Sequence, residues 1–239
     1  MNVAGVAFDL DGTLVDSRRD LAAAANAARA ELGLEPLPLA SVTAMVGEGA
    51  RNLMRRALGG ESRGTDEPYA PHAADDPRLD LALASFLRHY DELCTRETRP
   101  YPGAVELLRA MAARAPLAVV TNKPERMTRK ILVRFGMARA LGAVVGGDTL
   151  PARKPDPAPL RQAARELGVE PERLLLVGDS RVDARTAQAA GAPFLFVAWG
   201  YAGEAERAEL AARGPAVESV MELGRFLSRI LGPPRKRSG

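Results

Sequence analysis

The chain has 239 residues, of which 46% are hydrophobic and 26% are charged, and this composition is ordinary for a globular protein with a substantial core. Its formal net charge is +3, but the positive residues are spread along the chain without interleaved aromatics, which argues against a nucleic-acid-binding surface. The single cysteine, Cys94, excludes an internal disulfide, and no Cys and His cluster of the zinc-binding kind is present.

Targeting signals are also missing from the sequence pattern. The first residues enter an apolar, strand-like run at once, which leaves no room for a charged signal region or a cleavage site. No apolar run approaches the length of a membrane span. We therefore expect a cytoplasmic protein that acts without a membrane or a nucleic acid as partner, and that is a monomer or a homodimer.

The first predicted element is a buried strand over residues 3–7, and two acids follow it, Asp9 and Asp11. Side chains two residues apart leave a strand on the same side, so both carboxylates can face one cation and one substrate. Gly12 then permits a tight turn. Carboxylate oxygens placed in this way are typical of a magnesium site, and the alternative for this segment alone is a solvated acidic turn.

The segment between the first and second predicted strands, residues 16–99, is too long for a simple crossover helix. Amphipathic helical spacing recurs four times within it, over residues 21–32, 41–46, 50–58 and 79–93. Residues 59–77 are rich in Gly, Pro and acids and predict an exposed loop, and residues 99–103 predict a stiff linker back to the core. The segment therefore predicts an inserted all-helical domain.

Three further apolar runs are each followed by a polar cluster. The runs are residues 117–120, 143–145 and 174–177, and the clusters are Thr121-Asn122-Lys123-Pro124, Gly146-Gly147-Asp148 with Arg153-Lys154-Pro155-Asp156-Pro157, and Gly178-Asp179-Ser180 with Asp183. Helical stretches separate the runs, which predicts an α/β fold with a doubly wound parallel sheet built from residues 1–15 and 100–239. Because ligands bind outside the carboxyl ends of such strands, we expect all the polar clusters to converge on one edge.

Four motifs in this order, FDLDGTLVDS, VVTNKP, RKPDP and LLVGDSRVD, resemble those of the haloacid dehalogenase superfamily of phosphatases over nearly the whole chain. The resemblance implies a Rossmann-like core with a helical cap, a Mg²⁺ cofactor and a small phosphorylated metabolite as substrate. It also implies hydrolysis through an aspartyl-phosphate. The second acid, Asp11, argues against the dehalogenases of the group, which lack it.

The resemblance assigns roles to the acids. Asp9 is the expected nucleophile, and Asp11 is expected to protonate the leaving oxygen and then to deprotonate the attacking water. The expected metal site consists of Asp9, Asp11, Asp179 and Asp183, with Asp179 as a direct ligand and Asp183 acting directly or through water. The alternative for Asp183 is an acidic residue in the first turn of a helix, which the helix dipole favours.

The resemblance likewise assigns the phosphate site to Thr121, the backbone amide of Asn122 and Lys154. The chain has only four lysines among 33 basic residues, so a lysine at 154 suggests that a compact point charge is needed rather than a planar guanidinium. For Lys123 two interpretations remain open, a site residue or a solvated charge at a helix start.

Two further stretches, residues 46–50 (VGEGA) and residues 198–201 (AWGY) after the last predicted core strand, resemble phosphoglycolate phosphatases in particular. Both are also explained without function, as a Gly-broken turn and as an aromatic strand exit. A substrate such as 2-phosphoglycolate carries a carboxylate, and Arg51 is the candidate cation for it. The alternatives are a phosphatase of amino-sugar or other sugar phosphates and a phosphomutase; the presence of Asp9, Asp11 and Lys154 disfavours a non-catalytic binding module.

Overall fold

The computed structural model describes residues 2–59 and 76–234, so most of the predicted loop at 59–77 lies outside the described residues. The described strands are β1 (Gly5–Phe8), β2 (Val15–Asp16), β3 (Arg99–Pro100), β4 (Leu117–Val120), β5 (Ala143–Val145), β6 (Leu174–Gly178), β7 (Phe194–Val197) and β8 (Ala216–Val217). The described helices are α1 (Arg18–Glu31), α2 (Leu39–Thr43), α3 (Ala50–Leu58), α4 (Leu79–Leu93), α5 (Ala104–Ala112), α6 (Glu125–Arg134), α7 (Ala158–Leu167), α8 (Arg181–Ala190), α9 (Glu204–Arg213) and α10 (Val220–Leu231). None of these helices combines the length and apolar content of a membrane span.

Six strands form one parallel sheet in the order β5-β4-β1-β6-β7-β8. Successive side chains alternate between its two faces: Ala7 packs with α7 and α8, whereas Val6 and Phe8 pack with α5, α6 and α10. Both faces are therefore buried, which explains why the strands are continuous apolar runs rather than alternating ones. The predicted doubly wound α/β fold is confirmed.

The sheet differs from the predicted strands in three places, one of which is that β6 extends by one residue to Gly178. The first strand is β1, which ends at Phe8 rather than at residue 7, and this places Asp9 directly after the strand. The strand that precedes the AWGY stretch, β7, is not the last strand of the sheet, because β8 pairs with it as a two-residue edge strand. Such a short edge strand carries no periodicity that a sequence pattern could reveal.

The insert between β2 and β3 consists of four described helices, of which α3 and α4 span the predicted residues. The other two differ at their ends, since α1 begins at Arg18 and α2 at Leu39. Helix α1 packs against α2, α3 and α4, and the buried residues of these helices belong to the same hydrophobic cluster as one face of the sheet. The predicted stiff linker begins instead as a strand, because β3 pairs antiparallel with β2 and the chain enters and leaves the insert through this ribbon.

One buried carboxylate fixes the start of the insert to its end. Asp20, in the first turn of α1, is 1% exposed. It accepts hydrogen bonds from the Glu97 backbone N at 2.9 Å, from the Thr98 backbone N at 2.8 Å and from Thr98 Oγ1 at 2.7 Å. The segment leading into β3 therefore obtains its hydrogen bonds from a side chain on α1.

We expect Asp20→Ala to lower the free energy of unfolding by about 3 kcal/mol, because the substitution leaves buried donors on Glu97 and Thr98 without an acceptor. The measurement is urea unfolding followed by circular dichroism. The matched control is Asp80→Ala, whose side chain is 82% exposed and whose removal should cost less than about 1 kcal/mol. Equal losses in the two variants would contradict this account of Asp20.

Candidate active site

The site lies at the carboxyl edge of the sheet, where the three central strands end. Asp9 directly follows β1, Thr121 directly follows β4, and Asp179 directly follows β6. Because β1 pairs with both β4 and β6, these three side chains come from neighbouring strand ends. The expected convergence of the polar clusters is therefore met for these residues.

Three carboxylates are gathered at this edge. Asp9, Asp179 and Asp183 are buried, and each offers an oxygen within 4.8 Å of the others. Asp183 is fixed by a capping box at the start of α8, in which its Oδ2 accepts hydrogen bonds from the Ser180 backbone N at 3.2 Å and from Ser180 Oγ at 2.6 Å. Asp183 is therefore both an acidic residue in the first turn of α8 and a member of the buried three-acid group.

Lys154 lies between two of these carboxylates. Its Nζ donates to Asp183 Oδ1 at 2.6 Å and lies 2.9 Å from Asp9 Oδ1, and its side chain is only 2% exposed. Burial acts to lower the pKa of Lys154, but Asp183 and Asp9 together raise this pKa above its ordinary value. Lys154 is therefore held as a buried cation.

Lys154 alone does not balance the three acids. Burial raises the pKa of Asp9 to about 6, against the opposing effect of Lys154. Burial, and then the charges of Asp9 and Asp183, raise the pKa of Asp179 well above its ordinary range. The cluster is consequently short of positive charge in its ionised form.

Asp11 is not part of the three-acid cluster. Both of its oxygens accept from Lys123 Nζ, at 2.7 and 2.6 Å, and Oδ1 also accepts a short hydrogen bond from Ser17 Oγ. The same-side argument for Asp9 and Asp11 requires a continuing strand, but β1 ends at Phe8. The chain then turns at Gly12, whose φ is +82°, so the alternation of strand side chains no longer applies.

The donor set fits a divalent cation. When Asp9, Asp179 and Asp183 are all ionised they carry a formal charge of −3, and Lys154 reduces the formal charge of the cluster to −2. The backbone is also shaped around the ligands: a methyl group on Gly12 or Gly200 would come within 2.2 Å of Asp179 Oδ2. Carboxylate oxygens are the ligands that Mg²⁺ prefers.

Thr121 and Asn122 line the same edge. Thr121 is 3% exposed, and its Oγ1 accepts from the Lys123 backbone N at 3.3 Å, so the hydroxyl proton can be donated elsewhere. Asn122 Nδ2 donates to the Lys154 carbonyl and to the Gly47 carbonyl, both at 2.9 Å. Asn122 therefore joins two of the polar clusters to the helical insert.

The structure does not bring Arg51 to the acids. Arg51 is the second residue of α3, and its Nη1 lies 2.6 Å from Asp80 Oδ1 on α4. This ion pair therefore lies within the insert. The segment that precedes it does reach the site, because Gly47 accepts the hydrogen bond from Asn122. A methyl group on Gly49 would come within 3.2 Å of Arg153 Nη1, which places a second arginine against the same segment.

The site also contains residues to which the sequence analysis gave no role in it. The Tyr201 backbone N donates to Asp179 Oδ2 at 2.7 Å, and the Tyr201 hydroxyl accepts from the Ser17 backbone N at 2.8 Å. Trp199 Nε1 donates to the Thr13 carbonyl at 3.2 Å. From the sequence, the AWGY stretch could be explained as aromatic packing after a strand. Its position beside Asp179 shows that it also supports the acids, through the hydrogen bond from Tyr201 N.

Comparison with known proteins agrees with the motifs. The family model of the haloacid dehalogenase-like hydrolases matches residues 3–191. The chain is 48% identical over 200 residues to a phosphoglycolate phosphatase from Rhodospirillum rubrum, covering 83% of this chain and 81% of that protein. It is 46% identical over 198 residues to a phosphoglycolate phosphatase from Cereibacter sphaeroides, covering 82% and 86%. A crystal structure of a predicted phosphoglycolate phosphatase from Haemophilus somnus 129pt superposes with a TM-score of 0.82 at 29% identity, covering 95% of this chain and 98% of that chain.

We expect Gly200→Ala to weaken Mg²⁺ binding by about 10- to 100-fold, the range typical when a group that orients a ligand is disturbed. The added methyl would collide with Asp179 and displace its carboxylate. Isothermal titration calorimetry with Mg²⁺ provides the measurement. Gly214→Ala is the control, because Gly214 is extended and has no atom within 4 Å of an added methyl group; identical affinities in both variants would contradict the prediction.

Proposed function

The chain belongs to the haloacid dehalogenase-like hydrolase family, and we propose that it hydrolyses 2-phosphoglycolate to glycolate and phosphate through an aspartyl-phosphate. The observation that carries the proposal is the buried group of Asp9, Asp179 and Asp183 at the sheet edge, with Lys154 among them. The choice of substrate is based on the relatives of the chain, since two of them, at 46–48% identity, are phosphoglycolate phosphatases.

Asp9 is the proposed nucleophile. Its carboxylate oxygen would attack phosphorus while the bond to the leaving oxygen breaks, and water would then hydrolyse the resulting acyl phosphate to release inorganic phosphate and restore Asp9. Its position directly after β1 supports this role, because the sheet holds its backbone through the hydrogen bond from Asp9 N to the Val177 carbonyl at 2.9 Å. A rigid nucleophile is oriented before the substrate arrives.

Asp11 is the proposed general acid and base. It would give a proton to the leaving oxygen of the substrate in the first step and take a proton from the attacking water in the second. Its separation from the three-acid cluster supports this division of labour. A carboxyl group that stays outside a crowded metal site can exchange a proton without changing the ligands.

Lys154, Thr121 and Asn122 are the proposed phosphate-binding residues. The buried Lys154 ammonium would offset the charge of the phosphoryl oxygens, and its two carboxylate partners hold it in place for that purpose. The Thr121 hydroxyl has its acceptor side occupied by the Lys123 backbone and would donate its proton to a phosphoryl oxygen. The Asn122 backbone N–H donates to no group among residues 2–59 and 76–234, so it is available for the same purpose.

The expected cofactor is Mg²⁺, which the phosphatases of this family generally use. Asp9, Asp179 and Asp183 would hold it. The sequence also predicted Asp11 as a ligand, but its carboxylate pairs with Lys123 outside this group. When bound, Mg²⁺ supplies positive charge that offsets the charge of the phosphoryl group in the transition state. The residual charge of −2 in the site supports this assignment.

We extend the proposal to the domain organisation, with residues 16–99 as a cap over a core formed by residues 1–15 and 100–239. The hydrogen bond from Asn122 to Gly47 supports a cap that contacts the site directly. Such a cap excludes water from the phosphoryl-transfer step. A cytoplasmic location, a monomer or homodimer, and the absence of nucleic-acid partners remain predictions.

We expect Asp9→Asn to reduce Mg²⁺-dependent release of phosphate from p-nitrophenyl phosphate by at least about 1,000-fold, because the amide cannot form an acyl phosphate. The assay measures inorganic phosphate with Mg²⁺ and with excess EDTA. Asp156→Asn, which lies in the same motif as Lys154 but is exposed, is the control and should keep its activity. Activity in Asp9→Asn that matches this control would overturn the covalent mechanism.

For the substrate, we expect wild-type kcat/KM to be higher for 2-phosphoglycolate than for ethyl phosphate, which lacks the carboxylate, and than for amino-sugar phosphates. Arg51→Ala should reduce the preference over ethyl phosphate by about 10-fold or more, as loss of a charge-assisted contact implies. Arg153→Ala is the comparison, since Arg153 lies against the same Gly49 segment. An unchanged preference in Arg51→Ala would remove Arg51 from the substrate site, and a preference for amino-sugar phosphates would replace the proposed substrate.

A further inference from the structure

One buried charged residue at the site has no role in the proposed chemistry. Lys123 lies between β4 and α6, and its side chain is only 2% exposed. A solvated charge at a helix start, one of the two interpretations of the sequence, would be exposed. Burying an ammonium is costly unless nearby groups compensate for its lost hydration, so its surroundings should reveal its purpose.

The first of these surroundings is Asp11. Lys123 Nζ donates to both carboxylate oxygens, at 2.7 and 2.6 Å. Ser17 Oγ donates to Oδ1 from the other side. Two donors on different elements thus fix the rotation of the Asp11 carboxylate, and residues 11 and 123 are brought together over 112 positions of the chain.

The second is an aromatic ring from the helical insert. Lys123 Nζ lies 4.7 Å from the centroid of the Tyr90 ring on α4. Tyr90 is 1% exposed, and Phe86 stacks on it with ring centroids 5.4 Å apart, so the ring has a fixed position. A cation over an aromatic face is stabilised by the ring quadrupole, most strongly where water is excluded.

Helix α4 contacts the same region at a second point. Asp91, next to Tyr90, pairs with Arg126 on α6 at 2.8 Å, and the Asp91 carbonyl accepts a hydrogen bond from Lys130. Helix α6 begins at Glu125, two residues after Lys123 along the chain. The position of Lys123 is therefore coupled to the docking of α4 on the core.

We propose that Lys123 is a positioning residue that orients Asp11 for proton transfer, and that Tyr90 of the insert holds Lys123 in place for this purpose. The inference rests on the proposed function, because it takes Asp11 as the general acid and base. Lys123 does not contact the substrate; it acts through Asp11. The consequence is that the acid and base is correctly oriented only while the insert is docked.

Physical reasoning favours a lysine for this task. Asp11 is two residues from Asp9, so the three-acid cluster repels its carboxylate, which would vary in position without a partner. A compact, buried ammonium that contacts both oxygens holds the carboxylate in one orientation. Proton transfer is sensitive to displacements of a fraction of an ångström, so fixing the carboxylate contributes to the rate rather than to substrate affinity.

The test is a double-mutant cycle with Lys123→Met and Asp11→Asn. We expect Lys123→Met to lower kcat for 2-phosphoglycolate by about 10- to 100-fold and to change KM by less than about 3-fold. The loss in kcat is only part of what a positioned general acid and base contributes, because Asp11 itself is still present. In the Asp11→Asn background, the same substitution should lower kcat by less than about 3-fold, because its target is already lost. A merely structural role would give the same fold-loss in both backgrounds, and that result would overturn the inference.

Matched variants separate this result from loss of folding or of the proposed function. Arg129→Met removes an exposed cation of α6 that pairs with Glu125 rather than with α4, and it should leave kcat near the wild-type value. Lys123→Arg keeps the charge and should recover part of the lost kcat. Thermal midpoints are measured for every variant. If Asp11→Asn were itself as active as wild type, the acid and base assignment would fail, whereas full activity of Lys123→Met beside an inactive Asp11→Asn would overturn only the inference.

Tyr90 provides a second pair that does not alter either charge. Tyr90→Phe keeps the ring and should retain wild-type kcat. Tyr90→Leu removes the ring and should lower kcat by about 3- to 10-fold with KM unchanged, because loss of a desolvated cation–π contact has a few-fold or larger effect. This pair also decides the question if Lys123→Met is too unstable to assay. Equal kcat values for the two variants would overturn the part assigned to Tyr90.

Discussion

The repulsion among buried carboxylates at one edge of the sheet is the constraint on which the rest of this structure depends. Asp9, Asp179 and Asp183 are gathered there because they follow or flank the ends of adjacent strands. Three buried like charges are unfavourable without compensation, and the pKa values of Asp9 and Asp179 are raised first by burial and then by the neighbouring carboxylates. The fold must therefore supply positive charge, donors and close backbone approach at the same place.

The surrounding sequence meets this need in three ways. Lys154 lies between Asp9 and Asp183 as a buried cation. The Ser180 capping box and the Tyr201 backbone N–H fix the carboxylates of Asp183 and Asp179. Gly12 and Gly200 allow the backbone to approach Asp179 more closely than a side chain would permit. The negative charge that remains suits a divalent cation. A bound cation would therefore both stabilise the buried carboxylates and take part in the chemistry of the site.

The helical insert is part of the same arrangement. Asn122 donates both to Gly47 in the insert and to the Lys154 carbonyl, and Lys123 lies between Asp11 of the core and Tyr90 of α4. The two residues are consecutive in one polar cluster, so a single turn after β4 contacts the insert at two points. The insert thus bears on the orientation of site residues as well as on access to the site.

The sequence by itself determined the fold and most of the site. Apolar runs between helical stretches predicted the parallel sheet, and the rule that ligands bind at the carboxyl ends of its strands placed Asp9, Thr121 and Asp179 together, because these positions depend on local periodicity and on topology alone. Helices α3 and α4 have the predicted bounds because their amphipathic spacing is likewise a local property of the sequence. The tertiary structure decided what depends on contacts between distant segments. It turned Asp11 away from the cluster towards Lys123, 112 residues along the chain, paired Arg51 with Asp80, and brought Tyr201 to Ser17 across 184 residues. Periodicity fixes the face and the edge at which a residue lies, but it does not fix the side-chain rotamer or which charge lies opposite, since these follow only once separate elements are packed against one another.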